Sequence, residues 1–171
     1  MSLRHALLGV LADEPRTGYA LLKHFEQSLT HAWPASHSQI YPELARLLAD
    51  GLIEQTGSGA RGAKTYAATA AGVDEVRRWL RTEPDRRVRS DAAVRVFFLW
   101  LLGRDEAEAF LRTERDRYLD LHAELERIRA EKEPANPKQQ AYRVALVGGL
   151  MALEARIRWA EWALEEVGSW R

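Results

Sequence analysis

The chain has 171 residues, 46% of them hydrophobic and 29% charged, with no cysteine and a formal net charge of zero. That size and composition support one substantial core or two small ones and argue against extensive disorder. The lack of cysteine excludes disulfides, thiolate metal sites and a cysteine nucleophile and suits a reducing, cytoplasmic setting, while the neutral balance gives no general attraction to nucleic acid.

Leu3 to Leu11 read as a first helix, with Leu3, Leu7, Leu8 and Leu11 on one face. Arg4 ahead of an apolar run superficially suggests a signal peptide, but the run is short and Asp13-Glu14-Pro15 follows, which suits an amphipathic core helix better. Pro15-Arg16-Thr17-Gly18 breaks the pattern, and a second helix from about Tyr19 to Leu29 buries Ala20, Leu21, Leu22 and Phe25. After the turn His31-Ala32-Trp33-Pro34-Ala35 comes a third helix with Ile40, Leu44, Leu47 and Leu48 inward and Gln39, Tyr41, Glu43 and Arg46 on other faces. Ser38 is the favoured N-cap, because Pro42 then falls close to the first turn; Ser36, with Gln39 three residues on, is the rival as a capping box. Asp50-Gly51-Leu52 closes the helix, Gly51 taking the left-handed C′ position and Leu52 folding back on Leu47 or Leu48.

Leu52 to Thr56 and Lys64 to Ala68 then read as two short strands around a tip carrying Gly57, Gly59, Arg61 and Gly62. Thr69 caps a fourth helix to about Leu80 with Val73, Val76 and Leu80 inward. This succession of helix, sharp stop and glycine-tipped hairpin is the reading half of a winged helix-turn-helix, placed at residues 1–82, with a linker over 83–90. Through Thr82 there are nine Lys or Arg against eight acids, so the unit is not basic overall. A local cationic face from Lys23, Arg46, Arg61 and Lys64 predicts DNA affinity that falls quickly with salt and needs two copies.

Residues 91–171 read as helix throughout. Ala92 to Leu102 is the most apolar run, holds Arg95 and is far below the roughly 18 residues of a membrane span, so it reads as a buried helix. After Gly103, Ala107, Leu111, Tyr118, Leu121, Leu125 and Ile128 alternate at threes and fours as a coiled-coil seam, interrupted by Glu114. Glu133-Pro134-Ala135-Asn136-Pro137 reverses the chain into a last, antiparallel helix from about Lys138 to Val167. That helix carries two apolar stripes: Leu146, Leu150, Leu153, Ile157, Ala160 and Leu164, and Val144, Val147, Met151, Ala155, Trp159 and Trp162. One stripe packs on its own hairpin; the second, with Gly148-Gly149 permitting close approach, predicts a homodimer. The fold class is therefore mainly α with a small β-wing, an N-terminal winged helix-turn-helix followed by a helical, coiled-coil dimerisation domain.

The segments LRHALLGVL, TGYALLKHFE, SQIYPELARLLADGLIE and GAKTYAATAAG resemble, in order and spacing, those of the PadR family of bacterial transcriptional regulators. The Ile40-Tyr41-Pro42 start, the Asp50-Gly51-Leu52-Ile53 stop and Lys64-Thr65-Tyr66 leading to Thr69 and Gly72 carry the resemblance. The helices after residue 85 look like the longer subclass, whose C-terminal domain dimerises. Ala20 stands where the family often has an acidic residue, so no role of that carboxylate carries over. The resemblance implies a third helix in the major groove of double-stranded DNA, a wing on an adjacent groove or the backbone, and repression. It makes Tyr19, Lys23, Ser36, Ser38, Gln39, Tyr41, Arg46, Arg61, Lys64 and Tyr66 the DNA-facing set.

Several of these residues have a second reading. Gln39 either pairs with adenine or caps the helix. Tyr41 either contacts the DNA backbone or braces the helix, and Tyr19 either meets a phosphate or joins the core. Arg46, a full turn on, positions the protein on phosphate. His5, His24, His31 and His37 have no ligand spacing, and Ser36 and Ser38 near His37 lack a third partner, so no metal, cofactor or catalytic site is expected. Phe97, Trp100, Met151, Trp159 and Trp162 either pack together or surround a small planar aromatic effector. The rival to a DNA-binding regulator is a helical interaction module whose winged domain binds another protein.

Overall fold

The computed structural model describes residues 3–25, 36–58, 63–84, 90–131 and 134–170. The chain divides into two compact units, Met1–Arg87 and Val88–Arg171.

In the first unit α1 (Leu3–Leu11), α2 (Gly18–His24), α3 (His37–Ala49) and α4 (Ala70–Trp79) surround a core of Leu7, Leu8, Leu11, Leu21, Phe25, Ile40, Leu44, Leu47 and Ile53. Leu7, Leu8 and Leu11 lie on one stripe of α1, which meets α3 on one side and α4 on the other. Arg4 of α1 donates to Asp50 at the end of α3 at 2.7 Å, and neighbouring His5 stacks on Trp79 of α4 with its Nε2 3.2 Å from Glu75. The expected inward positions Leu48 and Leu80 are exposed. Each lies at the C-terminal end of its helix, where the polypeptide turns away and, among the described residues, no neighbouring element covers that face.

The sheet has a strand the sequence pattern hides. Arg16–Thr17 forms β1, which pairs antiparallel with β3 (Lys64–Ala68), and β3 pairs with β2 (Ile53–Ser58), giving the order β1-β3-β2. Two residues are too few to show alternation. A bulge between Gln55 and Gly57 lengthens β2 beyond the expected Thr56. The wing tip at 59–62, with Gly59, Arg61 and Gly62, lies outside the described residues, as do 26–35, holding the end of the expected second helix, and 85–89 of the expected linker.

The α3 stop follows the expected chemistry. Gly51 has φ +69°, its N–H donates to the Leu48 carbonyl, and the Leu52 N–H reaches back to the Leu47 carbonyl at 3.0 Å, the paired bonds of a Schellman motif. Thr69 locks this stop to α4: its hydroxyl donates to the Gly51 carbonyl and accepts from the Gly72 N–H, while its own N–H donates to the Leu52 carbonyl.

In the second unit α6 (Arg104–Glu131) and α7 (Pro137–Gly168) form a long antiparallel hairpin, with Asn136 capping α7 through the Gln139 N–H and Pro137 in its first turn. Two apolar clusters hold it, one around Leu125, Leu150 and Leu153, the other around Leu99, Ala107, Leu111, Ala163 and Val167. Glu114 interrupts the seam because a polar layer separates them. Tyr118 donates to Glu114 at 2.9 Å while Arg156 of α7 lies 5.6 Å over the Tyr118 ring. Burial, followed by the adjacent carboxylate, pushes the Tyr118 hydroxyl up from its usual range.

The expected buried helix at Ala92–Leu102 is corrected in two respects. It is broken into α5 (Asp91–Phe97) and a single 3-10 turn, Leu99–Leu101, and of its residues Leu99 alone is buried. Val94, Phe97, Phe98, Trp100, Leu101 and Leu102 are exposed. Among the described residues no helix is long and apolar enough to cross a membrane.

Candidate nucleic-acid interface

The start of α3 is organised by Ser36 rather than by the favoured Ser38. Gln39 Oε1 accepts from the Ser36 N–H at 3.0 Å and from the Ser36 hydroxyl at 3.1 Å, and the two serine hydroxyls lie 2.9 Å apart. Pro42 consequently sits inside the helix, where its missing N–H cannot bond the carbonyl four residues back. The cap chemistry outweighs that single lost bond. Ser36, His37, Ser38, Gln39 and Tyr41 are all exposed along this edge. With its Oε1 engaged in the cap, Gln39 has its amide nitrogen left for a second partner, so bidentate pairing with a base requires the cap to open.

Tyr41 is a brace as well as an exposed side chain. A Cβ added to Gly18, the first residue of α2, would lie 2.8 Å from Tyr41 Cε1, and the His37 ring meets the Tyr41 ring at 4.4 Å. The missing side chain at Gly18 therefore lets the third helix lean on the start of the second. That start is fixed in turn: Thr17 caps α2 through the Ala20 N–H at 3.1 Å, and Arg16 and Thr17 pair with Tyr66 and Thr65 of β3. One chain of contacts thus ties the α3 edge, the α2 N-terminus and the root of the wing.

The cations fall around that frame. Lys23 is exposed with its ammonium 5.4 Å over the ring of Tyr19, which is itself 61% exposed and so not a core residue. Lys64 is exposed at the first residue of β3, while Tyr66 in the same strand packs against the core. Arg61 lies outside the described residues. Arg46 projects from α3 and bonds Glu43 at 3.0 Å. Arg4, to which the sequence reading gave no role, approaches Glu43 at 3.7 Å and Asp50 at 2.7 Å. Arg4 thereby offsets part of the negative charge of Glu43 and of Asp50 at the end of the third helix, which lessens repulsion of phosphate on a unit with little net positive charge. His37 has no DNA-facing role in the sequence pattern; its place in the first turn, beside Tyr41, appears only once the helix start is known.

The second unit holds an apolar cavity of about 230 Å³. Trp100, Trp159, Trp162 and Trp170 line it over a floor of Leu99 and Leu111, and Glu166 is the charged residue on its wall. Three of the five residues expected around an effector therefore meet there. Phe97 and Met151 do not line it: Phe97 is 78% exposed at the end of α5, and Met151, 63% exposed, sits eight residues before Trp159, about 12 Å along the helix. Trp170 was missed because it follows the end of α7, where helical periodicity gives no direction; its N–H bonds the Val167 carbonyl at 3.0 Å and turns it back.

Residues 7–78 match the family model described as "Transcriptional regulator PadR-like family", and residues 88–167 match "Virulence activator alpha C-term". The negative transcriptional regulator PadR of Bacillus subtilis is 31% identical over 141 residues, 77% of this chain and 78% of that protein. The crystal structure of B. subtilis PadR in complex with operator DNA superposes with a TM-score of 0.82 at 27% identity, covering 96% of this chain and 98% of that one. Its complex with p-coumaric acid gives 0.79 at 28% identity, covering 98% and 99%. With identity and superposition of this extent over most of its length, the chain belongs to the PadR-like family of transcriptional regulators.

Proposed function

We propose that this regulator is a cytoplasmic, homodimeric repressor, with no enzymatic activity of its own, that places the α3 edges of two subunits in major grooves of a pseudo-palindromic operator and is released by a small planar aromatic effector. The observation that carries the reading is the frame around Tyr41 and Gly18, which presents Ser36, Ser38 and Gln39 on one exposed edge with Lys23, Arg46 and Lys64 around it. A recognition helix needs its first turn at the base edges and cations on the flanking phosphates. Its relative from B. subtilis has been crystallised with operator DNA and with p-coumaric acid, which supports both halves of the proposal.

Dimerisation through residues 91–171 rests on the uncovered face of α7. Val144, Gly148, Met151, Ala155 and Trp162 recur there at coiled-coil spacing and are exposed, and nothing lies within 4 Å of a Cβ added at Gly148. A second copy is the economical cover for such a stripe. Release by an effector requires that it bind the DNA-incompetent arrangement more tightly, and a tenfold loss of operator affinity corresponds to about 1.4 kcal/mol of that difference.

Genome-wide footprinting of the tagged protein, beginning with its own promoter, tests the reading. An enriched inverted repeat is expected. Its absence would favour the alternative in which the winged unit binds protein and not DNA.

A further inference from the structure

We propose that the tryptophan-lined cavity of the second unit takes an organic cation, a single aromatic ring bearing an ammonium group, rather than an aromatic acid. The inference deepens the effector half of the function proposed above and rests on it. Four indoles, Trp100, Trp159, Trp162 and Trp170, come from α5's following turn, from α7 and from the residues after α7, and they line an open apolar recess of about 230 Å³. An apolar cavity near 150 Å³ accommodates benzene, so this one has room for a ring and a small substituent. Among the described residues none of these indoles stacks on another ring.

Charge decides the class of guest. Indole faces carry negative potential and attract ammonium groups, the recognition used by aromatic cages. Glu166 adds a carboxylate to the same wall, and among the described residues no Lys, Arg or His lines it. Among the described residues no cation forms a salt bridge with Glu166. A carboxylate ligand would have to lie against four electron-rich rings and one like charge, with no donor cation among the described lining residues to offset them. An ammonium group meets favourable potential from both sources. The cavity thus selects the opposite charge from that of p-coumaric acid, the ligand crystallised with the B. subtilis relative.

The test is calorimetric titration of the full chain with benzyltrimethylammonium and with phenylacetate at one salt concentration, on the wild type and on the variants Glu166→Gln and Glu165→Gln. Glu165 is the adjacent carboxylate on α7 and does not line the cavity, so it controls for net charge. The cation should bind roughly tenfold more tightly than the anion, as expected for ammonium against several indole faces with a carboxylate beside them. Glu166→Gln should erase most of that preference and Glu165→Gln should leave it. Equal or tighter binding of phenylacetate overturns the proposal, as does an equal response of the two variants or no binding of either compound. Circular dichroism melts establish that each variant is folded, and Trp162→Leu, which should weaken cation binding as well, provides a second variant. Operator titration on the same preparations keeps the two ideas apart. Operator binding with no cation preference sinks the ligand assignment alone, whereas absence of operator binding with the preference intact sinks the regulator reading alone.

Discussion

Replacing Gln39 separates reading DNA from building the helix that reads it. Its Oε1 accepts two bonds from Ser36, and losing the reciprocal half of a capping box costs about 1 kcal/mol of helix stability. A base contact adds a second, distinct loss. A bidentate amide–adenine pair discriminates by about 1–3 kcal/mol; with one amide atom held in the cap, the lower end applies, roughly a five- to tenfold drop in the ratio of operator to scrambled-DNA affinity. Gln39→Ala should show both effects, a stability loss in urea melts and a reduced ratio by fluorescence anisotropy at fixed salt. Gln39→Glu keeps an acceptor at the third helical position, where a carboxylate also suits the helix dipole, yet it removes the amide donor. Its stability should stay at or slightly above wild type while the ratio falls at least as far as in the alanine variant. Should Gln39→Glu preserve the ratio, or Gln39→Ala lose stability alone, Gln39 is a cap only and base reading belongs to Ser36, His37 or Ser38.

Three further outcomes are expected. Lys64→Ala should weaken operator and scrambled DNA about equally and flatten the salt slope by roughly one unit; a selective loss on operator would make Lys64 a base reader. Gly72→Ala places a Cβ 2.1 Å from the Leu52 carbonyl oxygen, so although alanine gains about 1 kcal/mol in helix propensity, the net result should be a destabilisation of about 2 kcal/mol or more in denaturant titration. A neutral or stabilised variant would mean that α4 moves off the α3 stop without penalty. Gly148→Ala discriminates by sign: on an open helix face it stabilises by about 1 kcal/mol, whereas under a closely packed second copy it raises the dimer dissociation constant. Sedimentation is expected to give the weaker dimer; an unchanged dimer with a higher melting temperature would place the seam elsewhere.

The sequence by itself determined every feature written in local chemistry. The α3 stop is legible because a glycine at C′ with an apolar residue after it has one favourable conformation, and Thr69 is legible as a cap because its hydroxyl meets the next turn's N–H. The α6 seam is legible because helical period and burial coincide over a long hairpin, from Ala107 to Ile128. Long-range partners decided the rest. Ser36 over Ser38 was a contest between two local terms, a capping box and a proline, which the sequence pattern alone does not rank. β1 exists because β3 offers its edge to Arg16 and Thr17, and Tyr41 is a brace because Gly18, 23 residues earlier, leaves room for its ring. Apolar content in Ala92–Leu102 measured a preference for burial without naming the cover, and among the described residues most of that run has none. The cavity is a tertiary product in the same sense: composition supplied the tryptophans, but only the return of α7 and the turn after it brought Trp170 and Glu166 to the same wall as Trp100.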